Sequence, residues 1–84
     1  MNFAIFYNPN KNETHQIVHD ISAFLLDRKM HVFLEENHFK IKEAKLLQEI
    51  DPKLIDFSIC LGGDGSILRA IHRHIKIEAP VLGI

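Results

Sequence analysis

The sequence predicts an α/β domain of the Rossmann-like type: a mainly parallel sheet of four strands with three helices. Three observations carry this expectation. Short apolar runs rich in aromatic and β-branched residues alternate along the chain with stretches at helical spacing. The resulting order is strand, helix, strand, helix, strand, helix, strand, which implies right-handed crossovers. A glycine cluster at Gly62, Gly63 and Gly65 sits where the third strand passes into the third helix.

The first strand is Phe3-Ala-Ile-Phe-Tyr7, closed by the turn formers Asn8-Pro9-Asn10. Asn10 and Glu13 have the spacing of a capping box, with Asn12 as a competing cap. A helix follows from about Glu13 to Lys29, with Ile17, Val18, Ile21, Phe24 and Leu25 expected to face the core. Met30 to Glu35 reads as the second strand. Lys40 to Ile50 reads as the second helix, with Ile41, Ala44 and Leu47 on one face and Pro52 as its stop. Ile55, Phe57, Ile59 and Leu61 alternate with Asp56, Ser58 and Cys60, which marks the third strand. Ile67, Ala70, Ile71 and Ile75 then sit at helical spacing, and Pro80 opens the last strand, Val81 to Ile84.

With 84 residues, 46% hydrophobic and 25% charged, the chain has the balance of one small globular domain and not of a disordered segment. Ten basic residues against eleven acidic ones leave a net charge of −1, so no basic excess drives binding to nucleic acid. The one cysteine, Cys60, excludes an internal disulfide and any multi-cysteine metal site. The opening Met-Asn-Phe-Ala-Ile lacks the basic flank and long apolar stretch of a signal peptide, and no apolar run approaches the ~18 residues of a membrane span. A cytoplasmic location without a membrane partner is the expectation. The final Pro80-Val-Leu-Gly-Ile84 reads as an unprotected hydrophobic strand, which leads us to expect a fragment of a longer protein.

The segment richest in chemistry is Leu61-Gly-Gly-Asp-Gly-Ser-Ile-Leu-Arg-Ala70. Open α/β sheets bind ligands at the carboxyl ends of their strands, where this loop begins. Glycines there admit a ligand to the main chain, and their amides with the helix N-terminus form a seat for phosphate. The loop lacks the Lys-Ser/Thr ending of a Walker A motif and the G-x-G-x-x-G spacing of a dinucleotide fingerprint. It carries instead a carboxylate, Asp64, among its glycines. Asp64 or Ser66 could simply cap the helix. The two preceding glycines and the strand-to-helix context favour a functional carboxylate, one that accepts a proton from an attacking hydroxyl or holds Mg²⁺.

Gly62-Gly-Asp-Gly-Ser66 followed by Ile-Leu-Arg-Ala70 closely resembles the GGDGT-x-L-R-A segment of NAD kinases. The Ile-Asp-Phe before the loop, the Asn-Pro turn after the first strand and Ala79-Pro-Val-Leu-Gly-Ile84 also resemble that family. The resemblance implies transfer of the γ-phosphoryl of ATP, or of polyphosphate in some members, to the 2′-hydroxyl of the adenosine ribose of NAD, with a divalent metal such as Mg²⁺. It implies that Asp64 is the catalytic proton acceptor and that Asp64, Gly65, Leu68 and Arg69 contact NAD. It assigns Gly62, Gly63, Gly65 and Ser66 to the phosphate donor; Ser66 replaces the usual Thr and keeps its hydroxyl. It also implies a homo-oligomer in the full-length family. Residues 1–84 resemble only the N-terminal α/β nucleotide-binding domain; the later Asn-Glu motif and the β-rich C-terminal domain of the family are absent from the sequence.

Two related kinase families share the Gly-Gly-Asp-Gly turn. 6-Phosphofructokinases carry a glycine-rich loop after the first strand, whereas Tyr7 to Glu13 contains no glycine. Diacylglycerol and sphingosine kinases continue their loop toward Ser-Gly, and Arg69-Ala70 fits them poorly. A reading of another class is a non-catalytic nucleotide-binding fragment. His15 and His19, four apart on a helix, have zinc-chelating spacing, but no third ligand is evident and a solvated face is the favoured reading. His72 and His74 are two apart and point in different directions, and Arg73 and Lys76 read as a solvated face. Cys60 reads as a small strand residue and not as a reactive thiol.

Overall fold

The computed structural model describes residues 1–8, 12–37, 40–61 and 80–83. The strands are β1 (Asn2–Phe6), β2 (His31–Leu34), β3 (Lys45–Leu46), β4 (Phe57–Cys60) and β5 (Val81–Gly83), and helix α1 is Asn12–Asp27. All five strands form one sheet in the order β3-β2-β1-β4-β5, and every pairing is parallel. The fold is therefore α/β with a parallel sheet, as the alternating pattern predicts. The proposed third helix and the capping residue Asn10 lie outside the described residues.

Strand periodicity explains how the sheet is covered. Successive side chains point to opposite faces, so each central strand supplies two sets of apolar residues. Ile5, Val32, Leu34, Ile59 and the adjoining Leu61 cluster with Val18 and Leu25 of α1. Ala4, Phe6, Phe33 and Cys60 cluster on the other side with Leu47 and Ile55. Burial on both faces is the usual state of a parallel sheet, and it accounts for strands that are apolar nearly throughout. Ile5, fully buried, pairs in register with Leu34 on one side and Ile59 on the other, at the centre of the sheet.

Helix α1 ends in a Schellman turn. The Met30 amide donates to the Leu25 carbonyl at 3.0 Å and the Lys29 amide to Leu26 at 3.0 Å, with Lys29 in the left-handed region at φ 61°. This stops the helix two residues short of the expected Lys29. Its buried stripe is Thr14, Val18, Ser22 and Leu25. Ile17 and Phe24 were expected in the core but are 39% and 54% exposed. Each precedes a buried residue by one position, which turns it about 100° around the helix and off the sheet. The Arg28 guanidinium lies 3.5 Å over the Phe24 ring, which shields part of that exposed aromatic.

The expected helix over Lys40 to Ile50 is not formed. Residues 45–46 extend the sheet as β3 beside β2, and 3₁₀ turns follow at Leu47–Glu49 and Pro52–Leu54. Lys40 and Glu43 have φ 51° and 68°, left-handed values that a continuous helix excludes. Two side chains replace the lost helical bonds: Asn37 pairs with Ile41 through both of its polar atoms, and Glu49 accepts the Leu46 amide. In the third strand the expected alternation also divides differently. Ile59 and Leu61 pack with α1, whereas Ile55, ahead of the strand, packs with Cys60 on the opposite face. Phe57 is partly exposed and stacks on Phe3 at 5.5 Å.

The start of the sheet is fastened by a polar clasp. The Asn2 amide donates to Asp56 Oδ2 at 2.7 Å, the Asp56 amide donates back to the Asn2 carbonyl at 2.8 Å, and Asn2 Nδ2 reaches the Leu54 carbonyl at 2.9 Å. These bonds set the β1–β4 register at the amino end. The same two strands define the site at the carboxyl end.

Candidate functional site

The strand order places a topological switch point between β1 and β4. From β1 the chain passes through α1 to β2 on one side, whereas β5, which follows β4, lies on the other. The connections therefore diverge at the carboxyl ends of β1 and β4. Such a switch point is where open α/β sheets receive their ligands.

The stem of the glycine loop stands at this point. β1 and β4 pair up to Phe6 and Cys60, and the Leu61 amide then donates to the Phe6 carbonyl at 2.8 Å. Leu61 is fully buried among Ile5, Val18 and Ile59. That anchors the chain one residue before Gly62 and directs the carboxyl end of β4 alongside that of β1. Tyr7 and Asn8, which follow β1, are half-buried on the neighbouring side. The Tyr7 hydroxyl donates to the Glu36 carbonyl at 2.6 Å and so ties the ends of β1 and β2 together. No sequence pattern singled out this bridge, since an aromatic residue at a strand end is ordinary.

The residues assigned chemistry on sequence grounds, Gly62, Gly63, Asp64, Gly65, Ser66, Leu68 and Arg69, lie outside the described residues, as do His72, Arg73, His74 and Lys76. Among the described residues, no group of three or more His, Cys, Asp or Glu side chains is placed to hold a metal ion. His15 and His19 are exposed on α1, the solvated face expected for them. No helix among the described residues is long and apolar enough to cross a membrane.

Cys60 is buried next to this stem, and desolvation raises its thiol pKa above the ordinary value. The thiolate is the reactive form, so the site disfavours thiol chemistry. The sign of the pH dependence follows. Once pH passes the ordinary thiol value of ~8.5, the unfolded chain loses this proton while the folded chain keeps it. The stability contributed by the protonated thiol is thus present below that pH and declines above it. Iodoacetamide should label Cys60 much more slowly in the native protein than in urea, and equal rates would show that the thiol is open to solvent.

Comparison with known proteins adds an independent line. The family described as ATP-NAD kinase N-terminal domain matches residues 3–84. An NAD kinase of Protochlamydia amoebophila (strain UWE25) is 41% identical over 81 residues, covering 96% of this chain and 29% of the relative. An NAD kinase of Pseudomonas fluorescens (strain Pf0-1) is 34% identical over 87 residues, covering 99% of this chain and 29% of the relative. An NAD kinase of Pseudomonas syringae pv. syringae (strain B728a) is 38% identical over 73 residues, covering 82% and 25%. The chain thus spans less than a third of the length of these relatives.

Proposed function

Because this chain belongs to the ATP-NAD kinase family, as its N-terminal domain, we propose that the protein carrying it phosphorylates NAD to NADP. The observation that supports this reading is that Leu61, the residue preceding the sequence Gly62-Gly-Asp-Gly-Ser66, is a buried stem beside β1 at the switch point. A phosphoryl donor seated there would lie over main-chain amides that glycine leaves uncovered. The family match and the three relatives favour NAD as acceptor over the lipid and sugar acceptors of the other Gly-Gly-Asp-Gly kinases.

The reaction assigns distinct tasks. The 2′-hydroxyl oxygen of the NAD ribose attacks the γ-phosphorus of ATP, the bond to the β–γ bridging oxygen breaks, and ADP leaves. Asp64 accepts the hydroxyl proton as the new O–P bond forms. Gly62, Gly63, Gly65 and Ser66 hold the donor phosphates, while Gly65, Leu68 and Arg69 line the NAD side with Asp64. A divalent metal such as Mg²⁺, bound together with the donor phosphates, would neutralise their charge.

Positioning two nucleotides in line accounts for much of the rate in such a transfer. Residues 1–84 correspond to 29% of a relative's length, and the family resemblance implies that a β-rich domain supplies half of the substrate site. The test is a coupled assay of NADP formation with ATP and Mg²⁺, run on the 84-residue chain and on any longer product of the same gene. The longer product should turn over and the short chain should show little or no activity. A longer product that binds ATP but phosphorylates only a lipid or a sugar phosphate would replace this reading with one of the related kinases.

A further inference from the structure

We propose that the outer face of α1 is a docking surface for a basic amphipathic helix of another protein. Ile17, Ile21, Phe24 and Arg28 follow one another at spacings of four, three and four along the chain. Two packed helices meet along a seam of that spacing. At ~100° per residue the four fall within about 60° of arc, to one side of the buried stripe of Thr14, Val18, Ser22 and Leu25. Ile17 and Phe24 are exposed, and Ile21 is half-buried. The Arg28 guanidinium lies over the Phe24 ring, and its aliphatic stem prolongs the seam.

The charges beside the seam decide what can lie there. Glu13, Asp20 and Asp27 recur every seven residues, and all three are exposed. Residues seven apart on a helix are offset by only ~20°, so the three carboxylates form one flank. Residues 13–27 include no Lys or Arg. The opposite flank, with Val18 and Leu25, is closed against the sheet. The acidic flank is therefore the one open to a partner's charges, and flanking charges of this kind choose the partner in helix pairs. A second copy of α1 does not suit. In an antiparallel two-fold pair each flank meets its own counterpart, which sets acid against acid. In a parallel pair the acidic flank would have to meet the flank that the sheet closes. A helix with an apolar seam bordered by Lys or Arg satisfies both the seam and the carboxylates.

The experiment uses the protein expressed from its own gene and three synthetic peptides. One is a helix with Leu along its seam and Lys on its flanks, one has Glu in place of Lys, and one is the Lys peptide in scrambled order. Fluorescence anisotropy reads the affinities, with light scattering and thermal melting alongside. The Lys helix is expected to bind at least about tenfold more tightly than either control. Phe24→Ala should weaken it about tenfold. Asp20→Asn together with Asp27→Asn should weaken it about three- to tenfold and reduce its dependence on salt. Melting should hold in both variants, because the residues changed are exposed. Equal binding of the scrambled peptide overturns the proposal, since charge alone would then suffice. An unchanged affinity in Phe24→Ala overturns it as well. So does a multimer that Phe24→Ala dissociates, which gives the face to a second copy. A wild-type protein that leaves the Lys helix unbound overturns it too, because the face is then closed by its own chain or has no affinity for such a helix.

Discussion

Under the proposed function, replacing Asp64 by asparagine in the protein expressed from the same gene is expected to lower turnover by about 10²–10⁴-fold, the typical contribution of a positioned general base. A ribose hydroxyl is a weak nucleophile, and a carboxylate placed beside it can take its proton as the bond to phosphorus forms. Asparagine keeps the shape and loses the charge. Nucleotide affinity should change far less, because the amides of Gly62, Gly63 and Gly65 are untouched by the substitution. The competing idea is that Asp64 only caps the following helix. Asparagine caps about as well as aspartate, so that idea expects near-normal turnover. Measuring turnover and affinity separately for this one variant decides between them.

The second large effect belongs to the core. Ile5→Ala is expected to destabilise the fold by about 2–5 kcal/mol, the range for deleting a buried aliphatic side chain without collapse of the site. Ile5 has no exposed surface and lies in the central strand between Leu34 and Ile59, so neither neighbour can close the gap without disturbing β-pairing. Domains of this kind hold only about 5–15 kcal/mol in total. Leu82→Ala, at 58% exposure on β5, provides the contrast and should stay within about 0.5 kcal/mol. Urea midpoints followed by circular dichroism test the pair, and equal shifts would show that the burial pattern does not govern stability here.

Much of this was legible from residue order. Strands β1, β2, β4 and β5 and helix α1 fall where periodicity and turn residues put them, to within two residues at each end. Period-two and period-3.6 patterns are local consequences of backbone geometry, so they survive folding wherever a segment's neighbours agree with them. The motif from Gly62 to Ala70 was legible for a different reason: its chemistry requires particular residue types in a row. The order of strands, and hence the switch point, is not local and could not be read directly. It emerges from which strand pairs with which.

Residues 40–50 show where tertiary structure overrode local preference. Ile41, Ala44 and Leu47 have helical spacing among good helix formers, and sequence alone leads to a helix. In the fold, Ile41 is buried on the α1 side of the sheet and Leu47 on the opposite side. One helix lying on one face cannot supply both. An extended segment that passes along the β2 edge can, and it also pairs the backbone groups that β2 would otherwise leave open. The same logic exposed Ile17 and Phe24, since a sheet buries only the stripe of a helix that touches it. Sequence by itself thus located β1, β2, β4, β5 and α1, and it set the order of residues in the glycine loop. Only the tertiary structure decided which apolar residues were covered and what closed the edge, because both depend on surfaces contributed by distant parts of the chain.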